Sequence, residues 1–165
     1  MTANAFHNIT QVETSLWEAA DQLRANSKLT ATEYSMPVLG VIFLRHATNR
    51  YQTALQAIEA AQAAGTMPKR PLVKADFIKR RALMLPEAAR YDTLMSLPSG
   101  ASLGGALIAA MNAIEADFPP LQGSLPRDYD RFDNKLLENL LRCFDSQALR
   151  TATGDVFGRI YEYFL

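Results

Sequence analysis

Apolar residues recur along most of this chain at the three- and four-residue spacing of one face of an α-helix. The clearest case runs from about Thr30 to Ala64, where an unbroken apolar run from Met36 to Leu44 predicts a buried central helix. No stretch alternates apolar and polar residues for long enough to predict a sheet. The pattern predicts helices over about 10–25, 30–64, 86–96, 102–117 and 134–145, and a further helix that begins near Asp155.

These segments together predict an all-α, single-domain helical bundle of about six or seven helices. The first two helices are expected to form a buried pair, with Leu16, Leu23, Val38 and Ile42 in the core. The residues from Gly65 to Ala75 include two prolines and three cations, which is typical of a surface loop.

Composition is that of an ordinary globular domain, because 48% of the 165 residues are hydrophobic and 21% are charged. A chain of this length can bury a sizeable core without disulfides. Cys143 is the single cysteine, and the chain does not open with a signal peptide, so we expect a cytoplasmic protein. The apolar run Met36–Leu44 is far shorter than the roughly 20 residues that span a bilayer, and no membrane role is predicted.

Seventeen basic residues balance seventeen acidic ones, so the chain lacks the overall positive potential of a self-sufficient nucleic-acid binder. One stretch of thirteen residues nevertheless contains six cations and a single acid, Asp76. This stretch is either a solvated, partly salt-bridged loop or a surface that contacts phosphates without reading sequence. The candidate DNA-binding residues are Lys69, Arg70, Lys74, Lys79, Arg80 and Arg81.

No pattern in the chain indicates an active site. His7 and His46 have no partners at metal-ligand spacing, and Cys143 lies in a leucine-rich segment as a small apolar residue would. The glycines of 100–105 are not followed by the lysine that a phosphate-binding loop requires. We therefore expect no catalytic, cofactor-binding or metal-binding residues in this chain.

The last eight residues, Gly158–Leu165, are rich in aromatic side chains and end on Tyr163, Phe164 and Leu165, without the glycine, asparagine or cation that usually closes the last turn of a helix. We expect the natural protein to continue beyond Leu165. The predicted division is one helical domain over 1–157 and, over 158–165, the start of a helix that leads into a further domain.

Six segments, found in one order and at a particular spacing, are distributed along nearly the whole chain. They are Leu16–Arg24, Glu33–Arg45, Leu85–Tyr91, Ala110–Glu115, Leu121–Pro126 and Gly158–Leu165. Taken together they resemble the N-terminal helical domain of the modification (methyltransferase) subunit of type I restriction-modification systems. Tyr91 stands where that family often has tryptophan.

The resemblance implies a parent enzyme that methylates adenine N6 in DNA with S-adenosylmethionine. The family's F-x-G-x-G and N-P-P-F motifs lie downstream of the helix that contains Leu165 and do not occur in this chain. The resemblance therefore implies that this chain is a non-catalytic domain without a cofactor of its own. Its implied partners are the methylase domain, the specificity subunit and, in the assembled enzyme, double-stranded DNA. The alternative is a stand-alone helical protein–protein interaction module, whose natural chain would end near Leu165.

Overall fold

The structure is a computed structural model that describes residues 31–98, 100–145 and 147–150, together with Thr14, Glu18 and Ala25. Within these residues no β-strand occurs, which confirms the all-α prediction. The described helices are α1 (Ala31–Ala63), α2 (Lys74–Ile78), α3 (Tyr91–Met95), α4 (Leu103–Asp117), α5 (Asn134–Cys143) and α6 (Gln147–Arg150), with 3₁₀ helices at Glu87–Ala89 and Pro119–Leu121.

The long helices follow the predicted pattern closely. Helix α1 is 33 residues long and ends one residue before the predicted Ala64, while α4 and α5 lie within the predicted 102–117 and 134–145. The other described helices have only four or five residues: α3 is shorter than the predicted 86–96, and α2 and α6 lie where no helix is predicted. Thr14, Glu18 and Ala25 are helical, as predicted, but the rest of 10–25 and the helix predicted near Asp155 lie outside the described residues.

Helix α1 is the centre of the described core. Val38 and Ile42 are fully buried, which confirms their predicted place, whereas Leu16 and Leu23 lie outside the described residues. Apolar faces of α4 and α5 complete this core; their fully or almost fully buried residues include Leu107, Met111, Ile114, Leu137, Leu140 and Leu141. No helix in the described ranges combines the length and the apolar character that crossing a bilayer requires.

The predicted helix 86–96 is wrong, because the chain forms a 3₁₀ turn at Glu87–Ala89, an extended residue at Arg90 and then α3. The backbone N–H of Tyr91 donates to Thr48 Oγ1 of α1 at 3.0 Å, and not to a carbonyl one turn earlier. Arg90 donates from Nε and Nη2 to the carbonyl of Leu85 at 3.3 and 3.2 Å. These tertiary and local bonds replace the backbone bonds of a continuous helix.

Helix α2 is not predicted from the sequence. Its first two residues belong to the predicted loop Gly65–Ala75, and no element is predicted for the others. It has only five residues, too few to show helical periodicity. The carboxylate of Asp76 accepts the backbone N–H of Val73 at 2.9 Å, which satisfies one of the free amides at the start of the helix. Phe77 is buried and stacks on Tyr51 of α1, with ring centroids 5.2 Å apart.

Arg45 is almost fully buried on α1, with 1% of its surface exposed. Its guanidinium lies 4.4 Å from the centre of the Tyr91 ring and donates to Asn49 Oδ1 at 3.1 Å. Asp145 lies 3.5 Å from Arg45 Nη1 and completes the ion pair. Burial lowers the pKa of Arg45, and the nearby Tyr91, Asp92 and Asp145 oppose that shift.

A close contact between α1 and the loop before α5 depends on Gly40. The buried hydroxyl of Tyr129 donates to the carbonyl of Pro37 at 2.8 Å. A Cβ atom at residue 40 would lie 2.1 Å from that hydroxyl oxygen and 2.6 Å from Cγ of Pro126. Both distances are far below van der Waals contact, so only glycine fits here without movement of the loop.

We expect Gly40→Ala to lower the free energy of unfolding by about 1–3 kcal/mol or more, as overpacking of a core usually does. Tyr129→Phe removes the clashing hydroxyl but also its hydrogen bond to Pro37, a loss of about 1 kcal/mol. The double variant should therefore lose less stability than the sum of the two single variants. Urea denaturation of all four proteins measures this coupling, and strictly additive losses would contradict the close approach at Gly40.

Candidate nucleic-acid interface

The six candidate cations lie on one connected segment of the structure. Lys69 and Arg70 precede α2, Lys74 is its first residue, and Lys79, Arg80 and Arg81 follow its last residue. The segment packs on α1 through the buried Phe77. The side chains of the six cations nevertheless have different environments.

Arg70 forms a bidentate ion pair with Asp76. Its Nη1 lies 2.8 Å from Oδ2 and its Nη2 lies 2.7 Å from Oδ1 of the carboxylate. The Asp76 side chain is only 2% exposed, whereas that of Arg70 is 41% exposed. The hydrogen bond from Arg70, with that from Val73 N–H, holds the pKa of Asp76 well below its ordinary range. The charge of Arg70 is therefore largely balanced within the segment.

Lys74 and Arg80 donate to backbone carbonyls. Lys74 Nζ donates to the carbonyl of Asp117 at 2.8 Å and lies 5.4 Å from the centre of the Phe118 ring, so it places a cation at the C-terminal end of α4. Arg80 Nη1 donates to the carbonyl of Asp76 at 2.9 Å. Both side chains stabilise the local structure, which matches the solvated, partly bonded interpretation of these cations.

Lys69, Lys79 and Arg81 are exposed. Within the described residues their side chains make no salt bridge of 4.0 Å or less and no hydrogen bond. Lys79 contributes a coulombic interaction that lowers the pKa of Asp76, but its ammonium group remains in water. These three cations are the members of the cluster that can contact a ligand without breaking a structural bond.

Arg50 lies beside the cluster but is not among the residues predicted from the sequence. This residue lies on α1, and its Nη2 and Nε donate to the carbonyls of Arg80 and Arg81 at 2.8 and 3.2 Å. The bonds bring another cation beside the cluster and brace the backbone at its end. An isolated arginine on a long helix carries no local signal of such a role, because its partners lie about 30 residues away in sequence.

Other side chains that could bind a metal or take part in a reaction do not form a site in the described part of the chain. No group of three or more histidine, cysteine or acidic residues there could hold a metal ion. His46 is half-buried, and burial together with Arg50 lowers its pKa. Cys143 is half-buried, and burial raises the pKa of its thiol, with a smaller contribution from Glu18.

Comparison with known proteins matches residues 12–144 of the chain to the family described as the HsdM N-terminal domain. The chain is also similar to the type I restriction enzyme MjaIX methylase subunit of Methanocaldococcus jannaschii, with 31% identity over 170 residues. That alignment covers 94% of this chain and 30% of the archaeal protein. The chain thus spans about 30% of the length of this relative.

The ion pair of Asp76 should make stability depend on pH. Because the pKa of Asp76 is depressed in the folded protein, the pair stabilises the fold above the ordinary carboxyl pKa of about 3.9, and this contribution declines as the pH falls. We expect Asp76→Asn to lower the urea midpoint strongly at about pH 7 and clearly less at about pH 2, because the contribution is lost only as the pH falls towards the depressed pKa of the folded state. Asp128→Asn, at an exposed loop position, is the control; an equal loss at both pH values would contradict the assignment.

Proposed function

This chain belongs to the HsdM N-terminal domain family, and on that premise we propose that it is the amino-terminal helical domain of a type I restriction-modification DNA methyltransferase subunit. The length of the matched relative, a methylase subunit of which the chain spans 30%, supports a larger parent protein. We propose that the parent methylates adenine N6 with S-adenosylmethionine. The base would be flipped and methylated in a downstream domain.

Within that enzyme, we propose that this domain assists assembly with the specificity subunit and helps to close the complex around double-stranded DNA. The observation that carries the DNA contact is the set of three exposed cations, Lys69, Lys79 and Arg81, that make no structural bond within the described residues. They are concentrated on one segment of a chain whose formal net charge is zero. Phosphate contacts of this kind strengthen binding without selecting a base sequence.

The other cations of the cluster support this role indirectly. Arg70 and Arg80 both bond to Asp76, one to its carboxylate and the other to its carbonyl. Arg50 bonds the backbone just after α2. The exposed cations are therefore carried by a braced backbone, so that ordering the segment on DNA would cost less conformational entropy than ordering a free loop.

We expect Lys69→Ala/Lys79→Ala, made in the full-length subunit assembled with its specificity subunit, to weaken DNA binding. The slope of log affinity against log salt concentration should fall by about 0.9 for each phosphate that the protein no longer neutralises. Cognate and non-cognate duplexes should lose affinity alike, because these two lysines read no bases. Titrations of both duplexes at several salt concentrations measure the effect.

Lys135→Ala/Arg142→Ala on α5 is the matched control, since it removes the same charge from exposed positions outside the cluster. This control should leave the salt slope within error of the wild type. Arg80→Ala should instead lower thermal stability, because the side chain bonds to the carbonyl of Asp76. An unchanged salt slope in Lys69→Ala/Lys79→Ala would mean that these lysines do not contact DNA and that the cluster is only a solvated loop.

A further inference from the structure

A groove of about 320 Å³ lies between α1 and the residues that follow α2. Its apolar surface is formed by Phe43, Ala47, Ile78, Ala82 and Leu83. Ile78 is 58% exposed, although it is one of the largest apolar side chains in the segment. Together with the half-buried Phe43 and Leu83, Ile78 leaves apolar surface in this groove open to water.

The polar lining of the groove is cationic or neutral. Arg50, Arg81 and His46 line it, and among the described residues no carboxylate does. The lowered pKa of His46 keeps that ring mostly neutral near physiological pH, so the charge comes from the two arginines. The groove therefore combines an apolar floor with a positively charged edge, which complements an apolar group that has an acid beside it.

The backbone of Arg81 adds an independent observation. The N–H groups of Arg81 and Ala82 donate to the carbonyls of Ile78 and Phe77 at 2.9 and 3.0 Å, which is the hydrogen-bond pattern of a Schellman motif at the end of α2. The residue at the Arg81 position of this motif is usually glycine, because φ is positive there. Arg81 has φ of 57° and is the non-glycine residue with positive φ in the described chain.

An arginine at this position makes the fold less stable than glycine would. Strained residues that persist often lie at functional sites, where the side chain is needed. Arg81 is one of the residues that line the groove, and Arg50 Nε donates to the Arg81 carbonyl at 3.2 Å. The turn itself gives no reason for arginine at this position, since glycine would fit it better.

We propose that this groove docks a segment of a partner protein that inserts a leucine-sized side chain against Phe43 and Ile78 and places an adjacent carboxylate on Arg81. A phosphate group alone would leave the apolar floor uncovered, whereas an apolar side chain with an adjacent carboxylate covers the floor and meets the cation. The docking site goes beyond the proposed DNA contact. The two share Arg81, so the DNA contact is tested through Lys69 and Lys79, which do not line the groove.

The probe is a labelled peptide, Glu-Glu-Leu-Leu-Glu-Glu, titrated into the isotope-labelled 165-residue chain. The expected result is a saturable shift of the backbone amide signals of Ile78 and Leu83. Peptides in which alanine replaces leucine, or lysine replaces glutamate, should give no such shift. The proposal is overturned if the control peptides bind equally well, or if only a DNA duplex shifts these signals.

Arg81→Gly separates a binding role of Arg81 from a structural one, because the variant is expected to lower peptide affinity but to raise the stability of the fold. This variant should weaken peptide affinity at least threefold while the urea midpoint rises. Ile78→Ser, at an exposed position, should also abolish the shift without unfolding the chain, and Lys135→Ala, which removes a cation outside the groove, should change neither quantity. Undiminished peptide binding by Arg81→Gly, or a lowered midpoint, would overturn the proposal.

Discussion

The charge of Arg45 in the middle of the core is the constraint on which much of the described packing depends. A guanidinium with 1% exposure has lost its water and must be compensated by protein groups, since an unpaired buried charge destabilises a fold severely. Its compensation comes from three directions: the face of Tyr91, the amide oxygen of Asn49 and the carboxylate of Asp145. Each of these groups is in turn fixed by another part of the chain. The hydroxyl of Tyr91 donates to the carbonyl of Leu141 on α5.

The segment after α5 is held by the same set of bonds. Asn49 Nδ2 donates to the carbonyl of Leu149 at 2.7 Å, and Asp145 accepts from Arg150 at 2.8 and 3.1 Å. One buried arginine thus connects α1 with α3, α5 and α6 through polar bonds that have a fixed geometry. Apolar contacts alone would tolerate small rotations of these helices, whereas the bonds to Arg45 require one arrangement.

Two loops are organised by nearly buried carboxylates in a similar way. Glu115 accepts the backbone N–H groups of Gly123 and Leu125 at 2.8 and 3.1 Å and pairs with Arg127 at 2.7 Å, which lowers the pKa of Glu115 to about 2. Asp76 does the same for the basic segment. In both loops a single acid binds backbone amides, two at Glu115 and one at Asp76, together with an arginine, so surface residues are presented on a defined backbone. The exposed cations and the apolar groove owe their positions to this arrangement.

The sequence by itself determined the fold class, the extent of α1, α4 and α5, and the location of the basic cluster, because helical periodicity and charge are local properties. It could not determine that 86–96 is interrupted, since the amide of Tyr91 is bound by Thr48, 43 residues earlier. Only the tertiary structure decided which cations are available, because Asp76 and distant carbonyls occupy some of them and leave Lys69, Lys79 and Arg81 exposed. The buried role of Arg45 was equally invisible, since its ion-pair partner Asp145 lies 100 residues away and only folding brings the two charges together.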